Sequence, residues 1–494
     1  MWNISDLMQK VNRIIRAGAG KMPTEQEFIL HEINRTLLSR EWKDMVDGVN
    51  YFRGIQDILG KQRLAIGEGG QLEPVKNLPN SRVIDNVYRT MVKQKTNYLL
   101  GKPITISSGK PEYQALLTDI LDKNFMRQLK EIGQDAITCG IGWLYVHYDE
   151  QGKLKFHRFR PYEIIPEWTD NEHTELDSVI RFYDVEVYDG GLYDKRVTKV
   201  EVYTKDGVDY YEAYGAYGNG LVRCAPWHTD YMQVGGKSYN WDRLPFVAFK
   251  RDDDMTPLIR HCRSLQDGLN RILSNFEDNM EEDPRQSIIV LVNYDGTDLG
   301  EFRHNLAMYG AVKVRSDGSG TGGDVKTLEV TVNSENYKAI SDIFRQAIIR
   351  NCMGYDAKDE RMSGAPNEMN IRSMYNDIDL DASDMETEFQ YSLDRLVDFI
   401  DLHLMNTGAG DFTREKYAIT FNTDMPMDEA STISNIRNSV GIVSTETLLA
   451  RHPWVDNVDD EMERLAKEKQ SELDQQYNPF GSGQDGGGLD GEIG

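Results

Sequence analysis

The sequence is poor in cysteine, in long apolar runs and in basic residues. Its 494 residues include four widely separated cysteines, Cys139, Cys224, Cys262 and Cys352, with no CxxC or Cys/His pair. We therefore predict buried free thiols, rather than disulfides or a zinc site, in a protein made in a reducing cytoplasm. No apolar run reaches ~18 residues, so no transmembrane helix is predicted. The N-terminus also lacks the pattern of a secretory signal.

Basic residues are outnumbered by acidic ones. The 56 Lys and Arg against 81 Asp and Glu give a net charge of −25. Proteins that grip nucleic acid neutralise phosphates with Lys and Arg, so this charge argues against that class. It is compatible with a protein that surrounds DNA and lets it slide, because an acidic or neutral lining makes few phosphate contacts.

Motifs for nucleotide binding and catalysis are missing as well. Val234-Gly-Gly-Lys-Ser238 ends like a phosphate-binding loop, but Tyr231 stands where the first glycine is needed. Gly18-Ala-Gly-Lys21 lacks the final Ser or Thr. A phosphate loop also requires a strand before it and a helix after it, which neither segment has. With no nucleophile–base set, we predict no catalytic residues, no cofactor and no enzyme.

Acidic clusters are interpreted structurally rather than as metal sites. Asp252, Asp253 and Asp254 precede a predicted helix, where carboxylates favour the helix dipole. Four further residues are interpreted as a solvated helix face or junction, with metal ligation as the minor alternative. They are Asp377, Asp379, Asp381 and Asp384.

The stretch from Thr256 to Leu404 contains the central series of predicted helices and strands. Thr256 as N-cap and Pro257 at the first helical position begin a helix. The predicted order is a helix over 256–281, a β insert over 282–333, a helix over 334–352, a loop over 353–367, and a long helix with a return strand over 368–425. The second helix has its apolar stripe at Tyr337, Ile340, Ile343, Phe344, Ala347 and Ile348, and the third at Met385, Phe389, Leu393, Leu396, Ile400 and Leu404. Narrow stripes on the first two helices require a partner, from the same chain or a neighbouring subunit.

The rest of the chain divides into four predicted parts. They are a helical surface arm over 1–45, a mixed α+β body over 46–255, a helical region over 426–470 and a tail over 471–494. The body alternates helical patterns with strand-like runs and Gly-containing turns. The tail is rich in Gly and acidic residues without Lys or Arg, so we expect disorder. The predicted fold class is α+β.

Several segments together resemble the portal proteins of tailed bacteriophages, the head-to-tail connector family. They are Tyr51-Phe-Arg-Gly-Ile-Gln-Asp-Ile-Leu59, the stretch from Pro79 to Pro103, Gly140-Ile-Gly-Trp-Leu-Tyr-Val146 with its turn at 149–152 and Pro161-Tyr-Glu-Ile-Ile-Pro166, Leu244-Pro-Phe-Val247, and Ser363-Gly-Ala-Pro366. Asn97-Tyr-Leu-Leu-Gly-Lys-Pro103 is the most specific of them. Arg251-Asp-Asp-Asp254 departs from the pattern, since many relatives carry Asn-rich polar residues there.

The resemblance implies a portal-type fold: a mixed wing body, stem helices over 256–281 and 334–352, a small β-containing clip over 282–333, a tunnel loop over 353–367, a tunnel-lining wing helix in 368–425 and a helical crown over 426–470. It implies a ring, usually a dodecamer, at one capsid vertex, through which double-stranded DNA passes without sequence specificity. Implied partners are the terminase large subunit, the head–tail adaptor, and the major capsid and scaffolding proteins, with no membrane. The implied location is the virion, after assembly in the host cytoplasm.

The implied tunnel loop supplies the predicted DNA-channel residues. Lys358 and Arg361 stand among acidic neighbours and offer a few phosphate contacts without a basic collar. Tyr355 and Asn367 complete the predicted set. An ordinary surface loop is the alternative at this level. For the whole chain, the alternatives are another ring-forming connector or adaptor without a packaging role, and a nucleic-acid enzyme, which the missing motifs argue against.

Overall fold

A computed structural model describes residues 24–66, 71–75, 78–188, 190, 195–214, 220–234, 236–282, 288–292, 324–328, 334–356, 368–422, 429–449, 452, 454–455 and 458–477. The helices are α1 Glu25–Leu38, α2 Arg40–Arg53, α3 Val87–Leu100, α4 Pro111–Ile120, α5 Lys123–Cys139, α6 Ile259–Glu282, α7 Ser334–Asn351, α8 Glu368–Thr407, α9 Glu429–Asn438, α10 Thr445–Leu449 and α11 Val458–Tyr477. The strands are β1 Leu64–Ile66, β2 Leu72–Pro74, β3 Thr105–Ser108, β4 Ile141–Tyr148, β5 Leu154–Phe159, β6 Ile164–Trp168, β7 Leu176–Val187, β8 Lys195–Thr204, β9 Gly207–Tyr214, β10 Val222–Thr229, β11 Met232–Val234, β12 Lys237–Tyr239, β13 Phe246–Lys250, β14 Ile288–Val292, β15 Asp324–Leu328 and β16 Tyr417–Thr420. This mixture confirms the predicted α+β class.

The chain divides into two compact units, residues 1–356 with 377–424 and residues 357–376 with 425–494. In the second unit α10 contacts α11, and the Ser444 hydroxyl caps α10 by accepting from the Thr447 N–H (3.3 Å). The tail prediction is wrong at its start, because α11 continues to Tyr477. Residues 471–477 contain neither Gly nor Pro, so nothing local ends the helix there. Residues 478–494 lie outside the described ranges.

The largest sheet of the first unit is antiparallel, in the order β10-β9-β8-β7-β6. One face is covered by α1, whose Ile29 and Ile33 are buried against Ile180, Val200 and Val202. The expected surface arm is therefore corrected: its described part contributes to a hydrophobic core. The predicted boundary at 45/46 also falls inside α2.

The main core brings together α3, α5, α6 and α8. The apolar stripe predicted for α8 is confirmed, since all six of its residues, Met385, Phe389, Leu393, Leu396, Ile400 and Leu404, are buried. A second antiparallel sheet, β13-β4-β5, lies beside this core. β16 returns after α8 to pair with β3. The long helix is thus fixed to the body along its C-terminal part.

The start of α6 differs from its prediction. The helix begins at Ile259, so Thr256 is not its N-cap and Pro257 is not its first residue. The Leu258 N–H donates to the Ile137 carbonyl of α5 (3.0 Å). Met255 adopts a left-handed φ of +50°. The Leu258 hydrogen bond thus attaches this turn to α5 just before α6 begins.

Helices α6 and α7 pack against each other, as their narrow stripes require. A Cβ on Gly268 would lie 2.5 Å from the Phe344 ring, so the glycine admits that ring between the helices. Farther along, the Phe276 and Tyr337 rings are 4.9 Å apart. Between the two helices in sequence, β14 pairs with β15. The rest of the predicted β insert over 282–333 lies outside the described residues.

One face of α6 is polar and yet buried. Gln266, Asn270, Ser274 and Asp278 recur every four residues, and none is more than 4% exposed. Spacing of four places side chains on one helix face. We call these four residues the α6 ladder.

The α6 ladder binds the backbone of the segment that leads into α3. Four side-chain oxygens accept from four backbone N–H groups, three in that segment and one, Tyr88, in the first turn of α3. The pairs are Asp278 Oδ1 with Ser81 (2.6 Å), Ser274 Oγ with Val83 (2.9 Å), Asn270 Oδ1 with Asp85 (3.1 Å) and Gln266 Oε1 with Tyr88 (3.1 Å). An extended segment without a strand partner thereby satisfies its backbone through a helix.

Candidate functional site

The predicted channel residues lie on the connection between α7 and α8. Lys358, Arg361 and Asn367 fall outside the described residues, so they stay predictions. Tyr355 is described, and α3 holds its backbone. The Tyr355 N–H donates to Gln94 Oε1 (3.0 Å), and Gln94 Nε2 donates to the Tyr355 carbonyl (2.9 Å). A single planar amide therefore fixes the direction of the chain at this point.

The turn between α7 and Tyr355 is tight. Met353 has a φ of +50°, which is uncommon for a residue with a Cβ. The Gly354 N–H donates back to the Ile349 carbonyl (2.9 Å). A Cβ on Gly354 would lie 2.4 Å from Met91 Sδ. Glycine is thus required for the chain to approach α3 this closely.

Lys95 joins three elements from a buried position. Its side chain is 2% exposed. Nζ donates to Asp381 Oδ2 on α8 (2.6 Å) and to the carbonyl of Met353, just after α7 (3.1 Å). One ammonium group on α3 therefore ties the end of α7 to α8.

Arg251, directly after β13, completes this charged cluster. Its Nη2 donates to Asp381 Oδ1 (2.8 Å), and its Nη1 donates to the Thr256 carbonyl (2.9 Å). Nη1 also lies 3.2 Å from Asp252 Oδ2. Two cations thus face two carboxylates, and removing Asp381 leaves the buried Lys95 ammonium without a carboxylate, at a cost of about 3–5 kcal/mol.

The pKa shifts reflect burial and pairing. Burial lowers the pKa of Lys95, and the opposing attraction of Asp381 does not restore it. Burial alone would raise the pKa of Asp381, but the charges and hydrogen bonds of Lys95 and Arg251 outweigh burial and lower it. Asp381 is therefore a carboxylate stabilised in its charged form.

A second contact from α3 supports the same arrangement. The Tyr98 hydroxyl donates to Asp379 Oδ1 on α8 (2.9 Å), and burial, then this bond, raises the pKa of the phenol. Asp381 thus lies at a junction, one of the two predicted alternatives, whereas Asp379 is exposed on the helix face and also accepts from Tyr98. A lysine on a helix among Met91 and Leu99 was the signal available in the sequence.

Comparison with known proteins identifies the family. Residues 39–475 match the family described as "Phage portal protein, SPP1 Gp6-like". The chain belongs to this family. The portal protein of Clostridium phage phiCD119 is 26% identical over 451 residues, covering 89% of this chain and 96% of the relative. The portal protein of Bacillus phage SPP1 is 27% identical over 444 residues, covering 88% and 85%. A solved structure, the neck of a native GTA particle computed with C12 symmetry, shares 12% identity and a TM-score of 0.39, covering 74% of this chain and 88% of that chain.

The predicted resemblance is thereby confirmed. Phage portal proteins are structural rather than enzymatic, and this chain has the portal or connector role of its family in the phage particle. Within the described residues, no group of three or more His, Cys, Asp or Glu is arranged to hold a metal ion. Asp252 instead accepts from the Thr256 N–H (3.1 Å).

Other sequence candidates have structural roles in this portal protein. Val234 ends β11, and Lys237 and Ser238 lie in β12, so the helix that a phosphate loop needs does not follow. Cys139, Cys262 and Cys352 are buried free thiols, as predicted, whereas Cys224 is partly exposed. None of the helices in the described ranges has a stretch apolar enough to cross a bilayer.

Proposed function

We propose that this portal protein assembles into a ring, expected to be a dodecamer, at one capsid vertex, and that DNA passes through its central channel during packaging, retention and ejection. The family match over residues 39–475 carries this function. The same function places the protein in the virion after assembly in the host cytoplasm. The terminase large subunit docks during packaging, the head–tail adaptor docks afterwards, and the major capsid and scaffolding proteins surround the ring.

An exposed apolar face on α7 supports assembly. Phe344 and Ile348 pack toward the chain's own core, whereas Ile340 and Ile343 are 42% and 63% exposed. Burying one large aliphatic side chain contributes about 1.5–3 kcal/mol. In a closed ring, a neighbouring copy supplies the partner for such a face.

We assign the parts of the chain as the family resemblance implies. The stem corresponds to α6 and α7, the clip to 282–333, the tunnel loop to 353–367 and the crown to 426–470. The body over 46–255 forms the wing, which gains the described residues of 1–45 because α1 packs into its core. The long helix within 368–425 lines the tunnel.

DNA contact in the channel is assigned to Lys358 and Arg361, with Tyr355 and Asn367 beside them. A net charge of −25 leaves few cations for phosphate binding, so contacts are expected to be transient. Replacing both Lys358 and Arg361 with Ala should lower the DNA retained per particle while rings still form. Lys153→Ala with Lys155→Ala removes the same charge from exposed positions of the β4–β5 hairpin and serves as control. Equal retention in the two double variants would exclude the assignment.

The ring is tested by negative-stain electron microscopy and native mass spectrometry on one purified sample. We expect rings with a central hole wide enough for duplex DNA, roughly 20 Å, and a single subunit count. Closed oligomers without a channel would contradict the function. The alternative, a ring-forming connector without a packaging role, predicts rings that do not bind the terminase large subunit.

A further inference from the structure

We propose that Gln94 and Lys95 of α3 are positioning residues for the connection between α7 and α8. They fix the point at which the chain leaves α7, and they couple that point to α8. The name tunnel loop for this connection rests on the proposed function, whereas the positioning role rests on contacts among described residues.

Gln94 acts on the backbone alone in these contacts. Its amide pairs with both the N–H and the carbonyl of Tyr355, at 3.0 and 2.9 Å. Both bonds must break before that peptide can rotate or shift along α3. Because the pairing uses main-chain groups, it fixes the backbone at Tyr355 whatever side chain stands at that position.

Lys95 adds a charge to the same point. Its Nζ binds the carbonyl of Met353 and the carboxylate of Asp381 together. A shift of α8 along α3 must therefore either carry the Met353 carbonyl with it or separate Lys95 from Asp381. Separation leaves a buried ammonium without its carboxylate, which low-dielectric surroundings oppose strongly. Met353, just after the end of α7, and Asp381 within α8 are thus linked through one side chain.

Because of Arg251, the loss of Lys95 should affect the two sides of this link unequally. It holds the other oxygen of Asp381 and reaches the Thr256 carbonyl before α6. Asp381 therefore stays attached to the β13–α6 turn even when Lys95 is removed. Loss of Lys95 should free the end of α7 more than it frees α8, and this difference separates a positioning role from general stabilisation.

The test uses hydrogen–deuterium exchange on the purified full chain. Gln94→Met removes both hydrogen bonds at similar length, and Gln134→Met is the control, a partly buried glutamine on α5 that accepts from Lys93 Nζ (2.9 Å). We expect the Tyr355 amide to exchange at least about fivefold faster in Gln94→Met, the change expected from losing one net hydrogen bond. Trypsin cleavage after Lys358 and Arg361 should accelerate as well.

Lys95→Met is the second variant, with exposed Lys93→Met as its control. We expect faster exchange over 353–356 and a smaller change over α8 near Asp381. Exchange over 353–356 that matches the control in both Gln94→Met and Lys95→Met would overturn the proposal. So would equal changes throughout the first unit, which indicate a merely structural role. Failure to form rings would contradict the proposed function without affecting this measurement, which is read on the purified chain.

Discussion

Asn270→Ala should destabilise the protein far more than the small loss of side-chain volume suggests. Asn270 is fully buried on α6. Its Oδ1 accepts from the Asp85 N–H (3.1 Å) and from Gln266 Nε2 (3.0 Å), and its Nδ2 donates to Gln56 Oε1. Gln266 keeps a second acceptor, the Asp85 carbonyl (2.7 Å). The substitution therefore leaves two groups without partners, the partly buried Asp85 N–H and the buried Gln56 Oε1.

Each buried group left unpaired costs about 1–3 kcal/mol, so two give roughly 2–4 kcal/mol once partial hydration of the vacated space is allowed. In a unit of this size that corresponds to a fall of about 2–5 °C in the unfolding midpoint. Scanning calorimetry measures the midpoint, at one fixed protein concentration because assembly also contributes. Hydrogen–deuterium exchange at Asp85 should accelerate in the same variant.

Asn275→Ala is the matched control. Asn275 lies on the same helix but is exposed, and it accepts from Lys61 Nζ (3.1 Å). Its loss should change stability by less than about 0.5 kcal/mol. Gln56→Met combined with Asn270→Ala should cost less than the sum of the two single changes, because it removes one of the orphaned groups. Equal midpoints for Asn270→Ala and Asn275→Ala, or strict additivity with Gln56→Met, would refute the reasoning.

Three further outcomes are expected. Gly354→Ala should destabilise by about 1–3 kcal/mol in thermal unfolding, because its Cβ meets Met91 Sδ at 2.4 Å, whereas Gly109→Ala, with open space around it, should be nearly neutral. Ile343→Asp should reduce ring formation in native mass spectrometry with little change in the unfolding midpoint, whereas Gln346→Asp, an exposed control with the same charge change, should assemble normally. Asp381→Asn should be least stable relative to the parent near neutral pH, and the difference should shrink below about pH 4.

The sign of the pH effect follows from the lowered pKa of Asp381. A carboxylate with a lowered pKa in the folded state contributes stability above its unfolded pKa and loses it as the pH falls through the folded pKa. A constant difference in stability from pH 7 to pH 3 would contradict this account. Normal assembly of Ile343→Asp would contradict the α7 interface, and a neutral Gly354→Ala would contradict the close approach to α3.

Apolar periodicity predicted the long helices because the residues that they bury follow the helical repeat. The α8 stripe from Met385 to Leu404 is buried as expected, since nearly every fourth residue faces one core. The same rule failed on the opposite side of α6. It assigns polar residues such as Asn270 and Ser274 to solvent, but here they replace a missing strand partner for a distant segment. No local signal distinguishes the two cases.

The candidate site was predictable only in part. The connection between α7 and α8 and the resemblance carried by 97–103 both pointed to this region. Lys95 stands four residues after apolar Met91 on the same helix face, but its partner Asp381 is 286 residues away. An ion pair over that separation depends on how α3, α8 and β13 meet, which periodicity does not describe. The same holds for Gln94, whose partner is a backbone rather than a recognisable side chain.

The α6 ladder also affects folding during synthesis, because its hydrogen bonds join distant parts of the chain. Its bonds join residues 178 to 197 positions apart. At ~5–20 residues per second, the ribosome delivers α6 about 10–40 s after residues 81–88 have emerged. During that interval four backbone N–H groups have only water as partner, and the segment entering α3 stays open to proteases and chaperones. Residues 81–88 of the nascent chain therefore cannot form their native hydrogen bonds until α6 has been synthesised.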